Sequence, residues 1–221
     1  MKRRQKILIF AILFLAALII VGYWYLFMGS RITDASSEVV QGEENTNSLI
    51  VYFSRNGETK GNLDATSSAT VNSNNNQEVS DTEAAAFMIQ ELTGADLYQI
   101  KTARYYRDSF MGTAASAWIE ETFNMRPALA ARLDNLEKYD VIYVGYPIWW
   151  FNAPMAIGTF MESYELDGKT IVPFCTSQEN GIDVSMDYIR EISGNATVLD
   201  GMRIHNSSKE DVERWLEGLP G

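Results

Sequence analysis

The chain holds one cysteine and one histidine among 221 residues. A single cysteine excludes a disulfide framework, so the fold must rest on a buried apolar core. Cys175 sits in an apolar run and reads as a small buried residue. His205 has no Ser or Cys nucleophile motif and no metal-ligand spacing around it, and it reads as a surface residue. Basic residues are also scarce, with 18 Lys and Arg against 29 Asp and Glu. Four of the bases (Lys2, Arg3, Arg4 and Lys6) precede position 7, so the remainder carries 14 basic and 29 acidic side chains, a net charge of −15. Phosphate-backbone binding needs the opposite sign, so nucleic acid is not an expected partner and a basic or neutral one is favoured.

What the chain does have is one long apolar run, residues 7–28, 22 residues without a charge. At about 1.5 Å per residue a helix of that length crosses the ~30 Å hydrocarbon layer. The basic start places its beginning on the cytoplasmic side, and Tyr23, Trp24 and Tyr25 suit the far interface. The expectation is a single-pass anchor, 1–28, with the domain outside the cytoplasm. Secretion after signal cleavage is the alternative, although the run is long for a signal peptide and no A-x-A site follows it. No cysteine stands at the end of the run either, so a lipoprotein is not indicated.

Residues 29–48 are polar and aperiodic, as in a linker, and the domain is expected over 49–221. Short β-branched runs at 49–54, 96–100, 140–145, 170–175 and 197–200 read as strands. Between them, apolar spacings of three and four predict helices near 82–92, 114–123, 155–164, 182–192 and 209–216. That alternation implies a doubly wound parallel sheet with helices on both faces. Two segments resist the pattern. Residues 61–80 form a polar insertion or flap after the first strand, and the aromatic, basic stretch 104–112 either borders a site or packs on the sheet, with packing favoured.

Ligands of open parallel sheets bind at the carboxyl ends of the strands. The first strand ends in "SRNGETK", where Ser54, Asn56, Gly57 and Thr59 could surround a phosphate with hydroxyls and backbone N–H groups. The third ends in "GYPIWWFNAP" and the fourth in "CTSQENG". Trp149 and Trp150 offer stacking faces, while Thr176, Ser177 and Gly181 offer hydroxyls and close backbone to ring heteroatoms. Together the three loops suit a ligand with a charged tail and a flat aromatic head.

The segments "LIVYFSRNGETK", "TGADLYQI", "NATVLDGMRI" and, above all, "GYPIWW" followed by "PFCTS" resemble a bacterial flavodoxin-like family, from residue 49 to the C-terminus. The resemblance implies the flavodoxin fold, a five-stranded sheet of order 2-1-3-4-5, and noncovalent FMN. It makes Ser54, Arg55, Asn56 and Thr59 candidates for the phosphate. Pro147, Ile148, Trp149, Trp150, Phe151 and Asn152 become the first ring-contacting loop, and Thr176, Ser177 and Gly181 the second. Because 61–80 separates "NGET" from the helix, the helix could start at Asp81-Thr82-Glu83, which makes Thr82 a rival to Thr59. Within that insertion "DATSSAT", 64–70, resembles the D-x-x-[ST]-G-A-[ST] signal for phosphoester attachment of FMN, with Ser68 in place of glycine.

Three functions follow. One is an electron carrier between redox partners, protein or small acceptor. The second is an FMN-dependent NAD(P)H:quinone-type reductase, for which no second nucleotide motif is visible. The third is a flavin-free binding module tethered to the membrane.

Overall fold

A computed structural model of the chain describes residues 3–27, 38–43, 46–55, 71–74 and 77–220. The strands are β1 (Ser48–Phe53), β2 (Val71–Asn74), β3 (Gln77–Ser80), β4 (Asp96–Ile100), β5 (Val141–Pro147), β6 (Thr170–Thr176), β7 (Thr197–Val198) and β8 (Met202–Arg203). The α-helices are α1 (Arg3–Phe27), α2 (Asp81–Thr93), α3 (Phe110–Thr122), α4 (Met155–Met161), α5 (Asp183–Ile192) and α6 (Lys209–Glu217). β1, β5 and β6 are apolar almost throughout and buried on both faces, as strands covered by helices on each side must be.

The sheet runs β4-β1-β5-β6-β7, all parallel, with β8 also paired to β6. Alternate residues divide the core. Leu49, Val51, Phe53, Ile142 and Val144 pack with Ala156, Ile157 and Phe160 of α4 and Ile189 of α5. Ile50, Tyr52, Val172 and Phe174 pack with Ala85 and Ile89 of α2 and Val212 of α6. The period-2 geometry of a strand produces this division without further instruction.

The single fifth strand expected at 197–200 is instead two short pieces, β7 and β8. Ile171 accepts from Leu199 N and Cys175 accepts from Ile204 N, so this edge of β6 is used by alternate residues. Pro173 lies midway between them on that edge and has no N–H to give, which interrupts the ladder. At the break Gly201 passes close, where an added Cβ would stand 2.6 Å from the Pro173 carbonyl oxygen.

Two further readings are corrected. The stretch 29–48 is more than a tether, because Val40 forms an antiparallel bridge with Leu97, exchanging hydrogen bonds of 2.8 and 2.9 Å. That strap covers the free edge of β4, where unpaired backbone groups would otherwise stay open. The insertion 61–80 ends in a hairpin of β2 and β3, paired from Val71↔Ser80 to Asn74↔Gln77. The hairpin delivers Ser80 as the cap of α2, its hydroxyl accepting from Glu83 N at 3.1 Å.

α1 extends over 25 residues. Its described side chains run only from Gln5 and from Leu8 to Trp24, shorter than the sequence run 7–28, and over the described residues no helix is long and apolar enough to cross a membrane.

Candidate functional site

The carboxyl ends of β1, β5 and β6 open into a cavity of about 600 Å³, within the range of small-molecule sites. Its walls are Arg55 after β1, residues 148–151 after β5, residues 177–180 after β6, and one face of α3.

The loop after β5 is set by its own backbone. Trp149 N donates to Asn152 O and Asn152 N donates to Trp149 O, both at 2.9 Å. The two residues between them, Trp150 and Phe151, have φ of 48° and 62°. Both central residues at positive φ is the pattern of a type I′ turn, which Asn-Gly usually supplies. Two aromatic residues there hold strained backbone, at roughly 1–2 kcal/mol each. The gain is exposure, since Trp150 is 47 % and Phe151 64 % exposed.

The paired indoles thus have different environments. Trp149 is half-buried, its ring edge-to-face with Phe53 and with Tyr106, each at 5.4 Å. Trp150 turns toward α3 and donates from Nε1 to the Ala114 carbonyl at 2.8 Å. Both line the cavity, and the core takes a share of only one.

Beneath the cavity lies a layer of buried hydroxyls. Ser54 and Ser80 share a hydrogen bond of 2.6 Å, and Thr82, in the first turn of α2, shares one of 2.7 Å with Thr176. All four are buried. The Thr82 and Thr176 hydroxyls therefore pin α2 to the end of β6 and do not line the cavity. Pro147 ends β5 opposite Thr176 and is buried. Asn152 turns its side-chain oxygen onto Ala153 N at 2.8 Å. Ser177 lines the cavity, yet its hydroxyl accepts from Glu179 N and Asn180 N, shaping its own loop. Gly181 follows those lining residues, and a side chain there would meet the Asp183 carboxylate. Asn56, Gly57, Thr59 and the "DATSSAT" segment lie outside the described residues.

Arg55 is 1 % exposed and donates from Nη2 to the carbonyls of Arg107, at 3.3 Å, and Asp108, at 2.7 Å. It clamps the end of β1 to the loop before α3 and sets a buried positive charge in the cavity wall. Such a cation favours an anionic ligand.

α3 contributes Phe110, Met111, Thr113, Ala114 and Ala117 to the wall, the last three from outside any stretch expected near a site. Both roles open to 104–112 occur: Tyr106 packs in the core, while Phe110 and Met111 line the cavity. The missed signal was Ser109, whose hydroxyl accepts from Gly112 N at 3.1 Å and starts α3 four residues before the expected 114. Behind this wall Tyr106 donates to Glu120 Oε2 at 2.9 Å. Burial lifts the Glu120 carboxyl to about 7, against the opposing effect of that hydrogen bond. Cys175 is buried at the end of β6, and burial pushes its thiol up to about 12, away from the reactive thiolate form. His205 is half-buried, with Nε2 3.1 Å from Asn206 Nδ2. Among the described residues no group of His, Cys, Asp and Glu is placed to hold a metal.

The sequence pattern of the family described as Flavodoxin matches residues 77–219, more than half of the chain. Among solved structures, a candidate flavoprotein of Bacteroides eggerthii DSM 20697 is similar at 29% identity and TM-score 0.62, covering 77% of this chain and 95% of its own. A second, from Bacteroides uniformis ATCC 8492, is similar at 28% identity and TM-score 0.62, covering 80% and 99%. A flavoprotein of Lactobacillus acidophilus NCFM, solved in complex with FMN, shares the fold at 18% identity and TM-score 0.55, covering 76% and 97%. No curated protein matches the chain.

Proposed function

We propose, from the premise that this chain belongs to the flavodoxin family, that it binds FMN in the cavity above β1, β5 and β6 and carries electrons between redox partners while tethered to a membrane. One observation carries the reading. The cavity joins two indoles, a buried guanidinium and two polar loops at the carboxyl ends of adjacent parallel strands. FMN supplies the electron chemistry, one or two electrons at a time.

The chain's own residues do the rest. Ile148, Trp149, Trp150 and Phe151 give the apolar wall against which a flat ring is held and water excluded. Residues 177–180, fixed by the Ser177 turn and by Arg203 donating to Glu179 O at 3.2 Å, add a polar wall. The Arg55 cation attracts negative charge into the cavity, while the acidic surface opposes it from outside. The first turn of α2, held by Ser80 and Thr82, directs a 13-residue helix at this end of the sheet.

The tether rests on the sequence run 7–28 and the basic residues before it. The domain then lies outside the cytoplasm.

An absorbance spectrum of the purified protein, before and after acid precipitation, tests the reading. Flavin bands that leave with the supernatant are expected. A colourless protein that takes up no added FMN would instead favour the flavin-free binding module. Trp149→Ala and Trp150→Ala should each raise the FMN dissociation constant about five-fold or more, since loss of an aromatic face removes roughly 1 kcal/mol. Trp150→Ala is the cleaner change, because Trp149 also packs on Phe53 and Tyr106. Unchanged titrations for both variants would remove the indole pair from the site.

A further inference from the structure

We infer that the cavity end of the domain rests against the lipid bilayer, with Phe110, Met111, Trp150 and Phe151 as the apolar rim that meets the lipid. The inference rests on the membrane tether proposed above and adds the direction in which the site faces.

Chain direction provides the first argument. Val40 pairs antiparallel with Leu97 near the start of β4, while Gly42 N reaches Asp96 and Glu43 N reaches Gly94 O. The numbers fall along the strap as they rise along β4, so Glu38 lies toward Gln99 and the carboxyl end of that strand. The tether therefore reaches the domain from the cavity end.

Length provides the second. Ten residues, 28–37, separate the end of α1 from Glu38, and fully extended they reach about 35 Å. A domain of this size is about 40 Å across by the usual radius scaling. A tether entering at the cavity end and shorter than the domain is wide holds that end toward the bilayer.

Surface chemistry provides the third. Phe110, Met111, Trp150 and Phe151 are 43, 73, 47 and 64 % exposed, and all four line the cavity mouth. Large exposed apolar side chains gathered at one end mark an interaction surface, and aromatic residues suit the lipid interface. The type I′ turn sets Trp150 and Phe151 side by side at this rim. The acidic surface selects zwitterionic over anionic lipid. The redox partner is then drawn from molecules in or on the same bilayer.

The test labels single cysteines with an environment-sensitive fluorophore in the full chain, reconstituted in phosphatidylcholine vesicles. Native Cys175 is buried and stays unlabelled. Phe151→Cys and Met111→Cys sit at the cavity rim, and Glu165→Cys, exposed before β6, sits at the opposite end. The rim labels should shift to the blue and lose emission when lipids carry a quencher near the headgroup, with no change at position 165. Labels that stay in water at all three positions, on protein that floats with the vesicles, would overturn the inference and leave the rim to a protein partner. Protein that fails to float overturns the tether itself, and the flavin spectrum of the Glu165→Cys sample, changed outside the cavity, reports separately on FMN.

Discussion

Replacing Glu120 by glutamine should stabilise the protein by about 3 kcal/mol at pH 8 and by well under half of that at pH 5. Glu120 is 5 % exposed, and burial raises its carboxyl from 4.5 to about 7. A folded-state value above the unfolded one means that the folded chain binds the extra proton. Stability from this group is therefore full at low pH, falls as pH rises from about 4.5 to 7, and is flat above. At about 1.36 kcal/mol per pH unit that interval amounts to roughly 3 kcal/mol. Glutamine keeps an oxygen for the Tyr106 hydroxyl and never ionises, so the penalty disappears with the packing unchanged. Urea midpoints of both proteins across pH 5–8 check this. Parallel curves for the two would show that the folded state does not raise the Glu120 carboxyl above its unfolded value. The result bears on the site, because the Tyr106 ring that meets Glu120 also stands edge-on to Trp149.

The legible parts of this fold are those where one residue pattern has one physical outcome. "LIVYF", "VIYVG" and "TIVPF" are apolar at almost every position, which suits strands covered on both faces, and β1, β5 and β6 lie in the sheet centre. The helix ends at 81 and 209 follow Ser80 and Ser208, whose hydroxyls accept from the third residue on. What escaped depends on contacts distant in sequence. A single bridge, Val40 to Leu97, leaves no periodic trace in residues 29–48. The β2–β3 hairpin is written in "VNSN" and "QEVS", which lack the apolar alternation that marks a strand.

The site divides along the same line. The loops after β5 and β6 were readable because "WW" and "CTSQENG" stand at strand ends, where position alone implies a ligand. Which hydroxyls face the cavity was not readable. Thr82 and Thr176 are 94 positions apart, and only the packing of α2 on the sheet brings them to 2.7 Å. The α3 wall was hidden for the same reason, since nothing local in "SFMGTAASA" says which face meets Trp150.

Replacing Asp96 by alanine should cost about 3 kcal/mol at neutral pH and loosen the strap that carries the tether. Asp96 opens β4 and is 1 % exposed, yet its carboxylate is well supplied. Gly42 N donates at 2.9 Å, the Tyr139 hydroxyl at 2.6 Å and Lys138 Nζ at 3.1 Å. Burial pushes its pKa upward, but these three donors together outweigh it and hold the carboxyl below its ordinary value. Removing one partner of a buried ion pair costs roughly 3–5 kcal/mol. Lys138 is half-exposed and can return to water, which places the expected loss at the lower end. The sign with pH is opposite to that of Glu120. A depressed folded value contributes stability above the unfolded Asp value, about 4, and loses it as pH falls through the lower folded value. Wild type should therefore lose stability steeply in acid, and Asp96→Ala should lack that part of the slope. Because Gly42 N–H is one of the three donors, the variant should also be cut sooner by protease near residues 38–43. A stability within 1 kcal/mol of wild type, with unchanged cleavage, would show that the backbone contacts of Val40 with Leu97 and of Glu43 with Gly94 hold the strap without Asp96.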